Sequence, residues 1–164
     1  MEKLNRVVSV DPGWNTGLAY WVGDNFPITD IIKEPPKRKK IRIEITRIKF
    51  MLDRFEAYVK SKNPKLLILE GVEMWSGSTR SMTSAARGDL FALAYLVGGY
   101  IAICYKLGIK SELVYARGGK ERKTWKGQLG PEQVAKRIYR INKVEYPEHI
   151  REAVGIGFSK MGIL

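Results

Sequence analysis

Two apolar runs in this chain each stop at a carboxylate, and that constrains its fold more than any other feature. Val7-Val8-Ser9-Val10 ends on Asp11, which is followed at once by Pro12-Gly13 and closes at Thr16-Gly17. Leu66-Leu67-Ile68-Leu69 ends on Glu70, followed by Gly71. Aspartate is a poor strand former and its charge costs several kcal/mol to bury unpaired, so something must compensate Asp11. A metal ion is the obvious candidate, because two strand-end acids can meet at one edge of a sheet. A third acidic place, His149-Ile150-Arg151-Glu152, sets two ligand-type side chains three apart, on one face of a helix.

The remaining pattern supplies the elements between these points. Arg6 to Asp11 is the first strand, and the turn through Gly17 leads to a second, Leu18 to Val22, pairing antiparallel with it. After Gly23-Asp24-Asn25 a weaker third strand runs from Phe26 to Ile32. Lys33 to Lys40 is a basic loop, since Pro35-Pro36 blocks a helix and the four basic residues that follow repel one another. Ile41, Ile45, Ile48, Leu52, Phe55 and Val59 recur at steps of three and four, which predicts an amphipathic helix from Ile41 to Lys60, ended by Asn63-Pro64. Lys65 to Glu70 is apolar without alternation, as suits a parallel strand covered on both faces, joined to the first by a right-handed crossover.

Beyond Glu70, Gly71 to Thr83 is a polar loop, Ser84 caps a helix to about Leu107, and Gly108 stops it. Ser111 to Tyr115 is a last strand, Ala116 to Gly130 a second basic loop, and Pro131 opens a helix through Ile141. Pro147-Glu148 opens the final helix. No internal repeat or boundary divides the chain, so a single domain over 1–164 is expected.

With 29 Lys and Arg against 17 Asp and Glu, the net charge of +12 reads as a polyanion-binding surface, nucleic acid before acidic membrane. One cysteine, Cys104, rules out an intrachain disulfide and a Cys-based zinc site, and fits a reducing, cytoplasmic compartment. The apolar residues after Arg6 are too few for a signal-peptide core. Leu90 to Cys104 is uncharged but falls short of the roughly 20 residues that span a bilayer, so it reads as a buried helix and no membrane partner is expected.

Strand-end oxygen ligands without a dedicated cage suit Mg²⁺, which keeps waters and completes its octahedron with substrate phosphate oxygens. Two such ions roughly 4 Å apart can activate a water and stabilise the leaving oxygen of a phosphodiester. Asp11, Glu70 and Glu152, with His149 as a nitrogen ligand or a partner of the ligands, provide the number of groups that this chemistry needs. Each also has an ordinary reading: Asp11 as the cap of the Pro-Gly turn, Glu70 as an exposed strand end, Glu152 as a solvated helix carboxylate and His149 as an N-terminal helix residue bonded to backbone. Glu148 suits the helix macrodipole better than a metal, and Glu73 is left open.

Taken together, Asp11-Pro12-Gly13 with Thr16-Gly17, Leu69-Glu70, Ala86-Arg87-Gly88, and His149-x-x-Glu152-Ala153-Val154-Gly155-Ile156-Gly157 resemble the RuvC family of Holliday junction resolvases, in the RNase H-like superfamily. The similarity covers nearly the whole chain. It implies an α/β, RNase H-like fold: a five-stranded mixed sheet with strands one to three antiparallel, flanked by helices. It also implies a homodimer that nicks two strands of a four-way DNA junction with two Mg²⁺ ions per active site. Asp11 matches the family's first-strand aspartate, Glu70 its fourth-strand glutamate, and His149 and Glu152 the paired acids of the last helix. Two departures stand out: Glu152 replaces the usual Asp, and His149 the first acid. Both remain competent ligands, with Mn²⁺ a ready substitute. Thr124 to Leu129 resembles a basic segment of phage-type relatives, which would place a viral protein in the host cytoplasm.

The loops leaving the metal edge are then expected to face DNA, with Arg87, Arg117, Lys120, Arg122, Lys123 and Lys126 on phosphates and Trp75 and Trp125 stacking at the unpaired junction centre. Either tryptophan equally serves to anchor its loop. A ribonuclease H or ribosomal-RNA-processing nuclease would share the fold and the metals. A non-catalytic nucleic-acid-binding module would keep the charge without the metals. An actin-like ATPase also opens on an Asp-Gly turn but needs more than twice this length.

Overall fold

The computed structural model describes residues 6–23, 27–35, 45–72, 89–115, 136, 140 and 146–161. They form strands β1 (Arg6–Asp11), β2 (Asn15–Val22) and β3 (Ile28–Lys33), helix α1 (Ile45–Lys62), strand β4 (Leu66–Glu70), helix α2 (Asp89–Lys106), strand β5 (Lys110–Val114) and helix α3 (Glu148–Met161). The sheet order is β3-β2-β1-β4-β5. β1, β2 and β3 pair antiparallel, while β4 lies parallel to β1 and β5 parallel to β4. This is the mixed five-stranded sheet that the family resemblance implies.

The unbroken apolar runs of β1 and β4 follow from helices on both sides of the sheet. Val8, Val10, Leu67 and Leu69 face α1 and α2, packing with Met51, Phe55, Leu96 and Tyr100. Val7, Leu66 and Ile68 face the other way, against Ile150, Ala153, Val154 and Ile156 of α3. The indole on that second side is paired: Trp21 Nε1 donates to Ser9 Oγ at 2.9 Å. Because side chains alternate along a strand, Asp11 falls on the side of Val7 and Ser9, and Glu70 on the side of Leu66 and Ile68. Both acids therefore point toward α3.

Several boundaries move for physical reasons. β2 starts at Asn15 rather than Leu18, since the Pro-Gly turn closes in fewer residues than expected. β3 is shifted to Ile28–Lys33, taking Lys33 out of the basic loop through its pairing with Asn15. α1 runs on to Lys62 and stops where Asn63 turns left-handed at φ 44°. Its buried face is Met51, Phe55 and Val59, whereas Ile45, expected inside, is 81% exposed. α2 ends at Lys106, with Gly108 at φ 68° making the turn into β5, which starts at Lys110, one residue before the expected Ser111. Lys136 and Arg140 are the described residues of the helix expected over 131–141, and both are helical. The Ser84 cap and the start of α1 at Ile41 lie outside the described residues.

The helix read as buried over Leu90 to Cys104 is buried along one face. Ala92, Leu96, Val97, Tyr100 and Cys104 line the core face of α2, but Phe91, Tyr95 and Tyr105 are 57%, 59% and 87% exposed. Among the described residues α2 is also the one helix long and apolar enough to cross a membrane, although its inner face here packs on the sheet and α1.

Candidate metal centre

The register of the sheet assembles the site. Val10 pairs with Leu69 across the parallel β1–β4 ladder, so Asp11 and Glu70 leave the same edge side by side. α3 crosses behind that edge with its first turns, and its three-residue spacing turns His149 and Glu152 to one face. Carboxylate oxygens of Asp11, Glu70 and Glu152 all lie within 4.8 Å of one another. His149 joins through Asp11: its Nδ1 is 2.8 Å from Asp11 Oδ2. Where Asp11 is ionised its oxygen can only accept, so Nδ1–H then donates to it and Nε2 is the ring nitrogen left facing away from Asp11.

Electrostatics at Asp11 favour a cation in this cluster. Burial, then the negative charge of Glu152, and less strongly that of Glu70, push its carboxyl up to about 7, against the pull of the His149 hydrogen bond. A buried carboxyl that resists ionising beside two other acids is stabilised by a positive ion, and the all-carboxylate donor set is hard, of the kind that Mg²⁺ and Mn²⁺ take. The residues therefore fit a divalent ion, with Asp11, Glu70 and Glu152 as oxygen donors and His149 at the rim, 40% exposed along its side chain.

The turn after Asp11 is held from elsewhere. The Thr16 hydroxyl donates to Gly13 O at 2.7 Å and accepts from the Gly13 N–H at 3.4 Å. With the threonine proton so used, Tyr100 OH of α2 is the donor in the 2.9 Å contact to Thr16 Oγ. Thr16 closes the Pro-Gly turn, the task that the ordinary reading assigned to Asp11. Beside it, the Arg47 guanidinium stacks 3.9 Å from the centroid of Trp14 and pairs with Glu34. Neither Tyr100 nor Arg47 stands out in the sequence. A buried hydroxyl must find a partner, but Tyr95 and Tyr105 of the same helix carry the same group, so only burial singles out Tyr100.

Of the residues predicted to act, Asp11, Glu70, His149 and Glu152 come together. Glu148 sits exposed in the first turn of α3, as the macrodipole reading has it. Glu73, Trp75, Arg87, Arg117, Lys120, Arg122, Lys123, Trp125 and Lys126 lie outside the described residues. The topology does say where their segments attach: β4 and β5 are parallel and end together, Glu70 opposite Val114, at the edge that carries the acids. Lys33 and Arg47, which flank 36–44 in the sequence, also lie at this edge, since Lys33 pairs with Asn15 and Arg47 meets Trp14.

No protein-family model matches the sequence, and no curated protein matches it. Solved structures do match by shape. Thermus thermophilus RuvC in complex with a Holliday junction substrate aligns over 96% of each chain at TM-score 0.66 and 16% identity. Fowlpox virus resolvase, bound to Holliday junction DNA, aligns over 96% of this chain and 99% of its own at TM-score 0.57 and 16% identity. The yeast mitochondrial Holliday junction resolvase Ydc2 aligns over 93% of this chain and 77% of its own at TM-score 0.56 and 10% identity. The chain has the RuvC-like form of the RNase H-like fold.

Proposed function

We propose that this chain is a divalent-metal-dependent endonuclease that resolves four-way DNA junctions by paired nicks. The observation that carries the reading is the carboxylate trio, Asp11, Glu70 and Glu152, gathered within 4.8 Å at the sheet edge. Three further features support it: the fold shared with three junction resolvases, the net charge of +12, and the attachment of the basic stretches 36–44 and 116–130 to that same edge.

In this reading Asp11, Glu70 and Glu152 hold two Mg²⁺ ions, with Mn²⁺ as a substitute, and His149 fixes the orientation of Asp11 while offering Nε2. The bound ions supply a water of lowered pKa and a counter-charge for the leaving oxygen of the phosphodiester. Tyr100 and Thr16 hold the turn that carries Asp11, so the acid does not swing when substrate arrives. Lys and Arg of the basic stretches, Arg117, Lys120, Arg122, Lys123 and Lys126 among them, bind backbone phosphates, which orients a strand without reading its sequence. Trp75 and Trp125 stack on bases opened at the junction centre.

Two nicks need two sites, and α2 supports a homodimer. Its exposed stripe alternates aromatic Phe91, Tyr95 and Tyr105 with small Ala94, Gly98 and Ala102 spaced by four, and a Cβ added at Gly98 would meet nothing within 4 Å. Small residues at this spacing let a second copy of the helix approach closely. Equilibrium sedimentation without DNA is expected to give a dimer at micromolar concentration and a monomer for Tyr95→Glu. A wild-type monomer would sink the dimer.

The function itself is tested by offering the purified chain a synthetic four-way junction, the matching linear duplex and an RNA–DNA hybrid, each with Mg²⁺, Mn²⁺ or EDTA. Metal-dependent, symmetric nicking of the junction alone is expected. Preferential cutting of the hybrid would move the assignment to a ribonuclease H, and binding without cutting in any metal would leave a non-catalytic module.

A further inference from the structure

Asp11 and Gly17 face each other across β1 and β2. Alternation along β2 puts Gly17, Ala19 and Trp21 on the side where α3 lies. At Gly17 the contact is backbone on backbone: a Cβ built there would come within 2.0 Å of the His149 carbonyl oxygen, 2.4 Å of its carbon and 3.0 Å of Ile150 N. No side-chain rotation can relieve such a clash. A glycine inside a strand weakens it, and one standing there marks a close approach of another backbone.

A second contact lies further along the same strand. A Cβ added at Gly157 would come within 2.6 Å of the Trp21 ring, which Ser9 and the edge of Phe158 hold in place. α3 thus rests on β2 at two points, Gly17 under its first turn and Trp21 under Gly157. Two contacts set both the axial position and the roll of a helix. The atoms seated on Gly17 belong to His149, the residue whose ring reaches Asp11, so any lift there displaces His149 first and Glu152 with it.

We propose that Gly17 is a positioning residue of the metal centre: its missing side chain seats α3 so that His149 and Glu152 reach Asp11 and Glu70. The proposal rests on the metal reading above. Mn²⁺ binding, measured calorimetrically on the full chain without DNA, tests it alongside circular dichroism and thermal unfolding. Wild type is expected to bind Mn²⁺, and Gly17→Ala to keep a native spectrum while losing affinity at least tenfold. Gly157→Ala, roughly 12 Å along the helix from His149, is expected to lower the melting temperature while holding Mn²⁺ affinity within about twofold of wild type. Should Gly17→Ala fail to fold, Ala19→Val, which adds bulk under the same helix, is expected to give a smaller affinity loss in a folded protein. Wild-type affinity in the folded variant at 17 (or at 19 in its place), or equal losses at 17 and 157, overturns the proposal. A wild type that binds no Mn²⁺ overturns the metal reading instead, and the seat with it.

Discussion

Asp11→Asn and Glu70→Gln each lower junction nicking by at least about 10³-fold, equivalent to roughly 4 kcal/mol in the barrier, while junction affinity stays level or rises. The amide keeps the size and one acceptor oxygen of the carboxylate but loses the charge that holds a cation, so shape is retained and chemistry removed. Asp11 is the more exposed to this test because it is the most buried of the trio and has both other acids as neighbours. Affinity is expected to hold because DNA is gripped by Lys and Arg of the basic stretches, and removing a negative charge at the edge lessens repulsion of phosphate. Glu152→Gln should match them. Rates are compared in single turnover on the four-way junction with Mg²⁺, and binding in Ca²⁺ or EDTA. Nicking at the wild-type rate by either strand-end variant would remove that residue from the site.

Much of this arrangement is legible in the amino-acid sequence, because the informative signals are local. An apolar strand that stops on an acid is readable from six residues, and the His149–Glu152 spacing needs only the helical period. Antiparallel pairing of β1 and β2 follows from the short turn between them. What sequence does not supply is contact between distant segments. Tyr100 reaches Thr16 across 84 residues, and nothing local distinguishes it from the other aromatics of α2. The role of Gly17 is hidden in the same way, since its need for an absent side chain exists only once α3 lies on it. The predicted face of α1 holds through Ile48, Leu52, Phe55 and Val59, and the one described departure is at its first turn, where Ile45 is exposed while Met51 joins the core.

Without metal, the centre is a liability to the fold, and its removal should stabilise the protein. The carboxyl of Asp11 is raised from 3.8 to about 7 by burial and by Glu152 and Glu70. In the unfolded chain it ionises near its ordinary value, so between these two pH values the native state holds a proton that the unfolded state has released. Stability falls with rising pH wherever the native state binds more protons. This contribution is therefore absent below about pH 4, grows destabilising through pH 7 and stays constant above it. A shift of this size corresponds to a loss of roughly 4 kcal/mol. In EDTA, Asp11→Asn should melt about 5–10 °C above wild type at pH 8, for a chain of this size, and the gap should close toward pH 4, where wild type is protonated too. Adding Mn²⁺ at pH 8 should raise wild type and leave Asp11→Asn nearly unmoved, because a ligand stabilises only the state that binds it. Scanning calorimetry at both pH values, with and without metal, decides this. A variant that melts below wild type at pH 8 in EDTA would mean that the His149 hydrogen bond outweighs the burial of charge at Asp11.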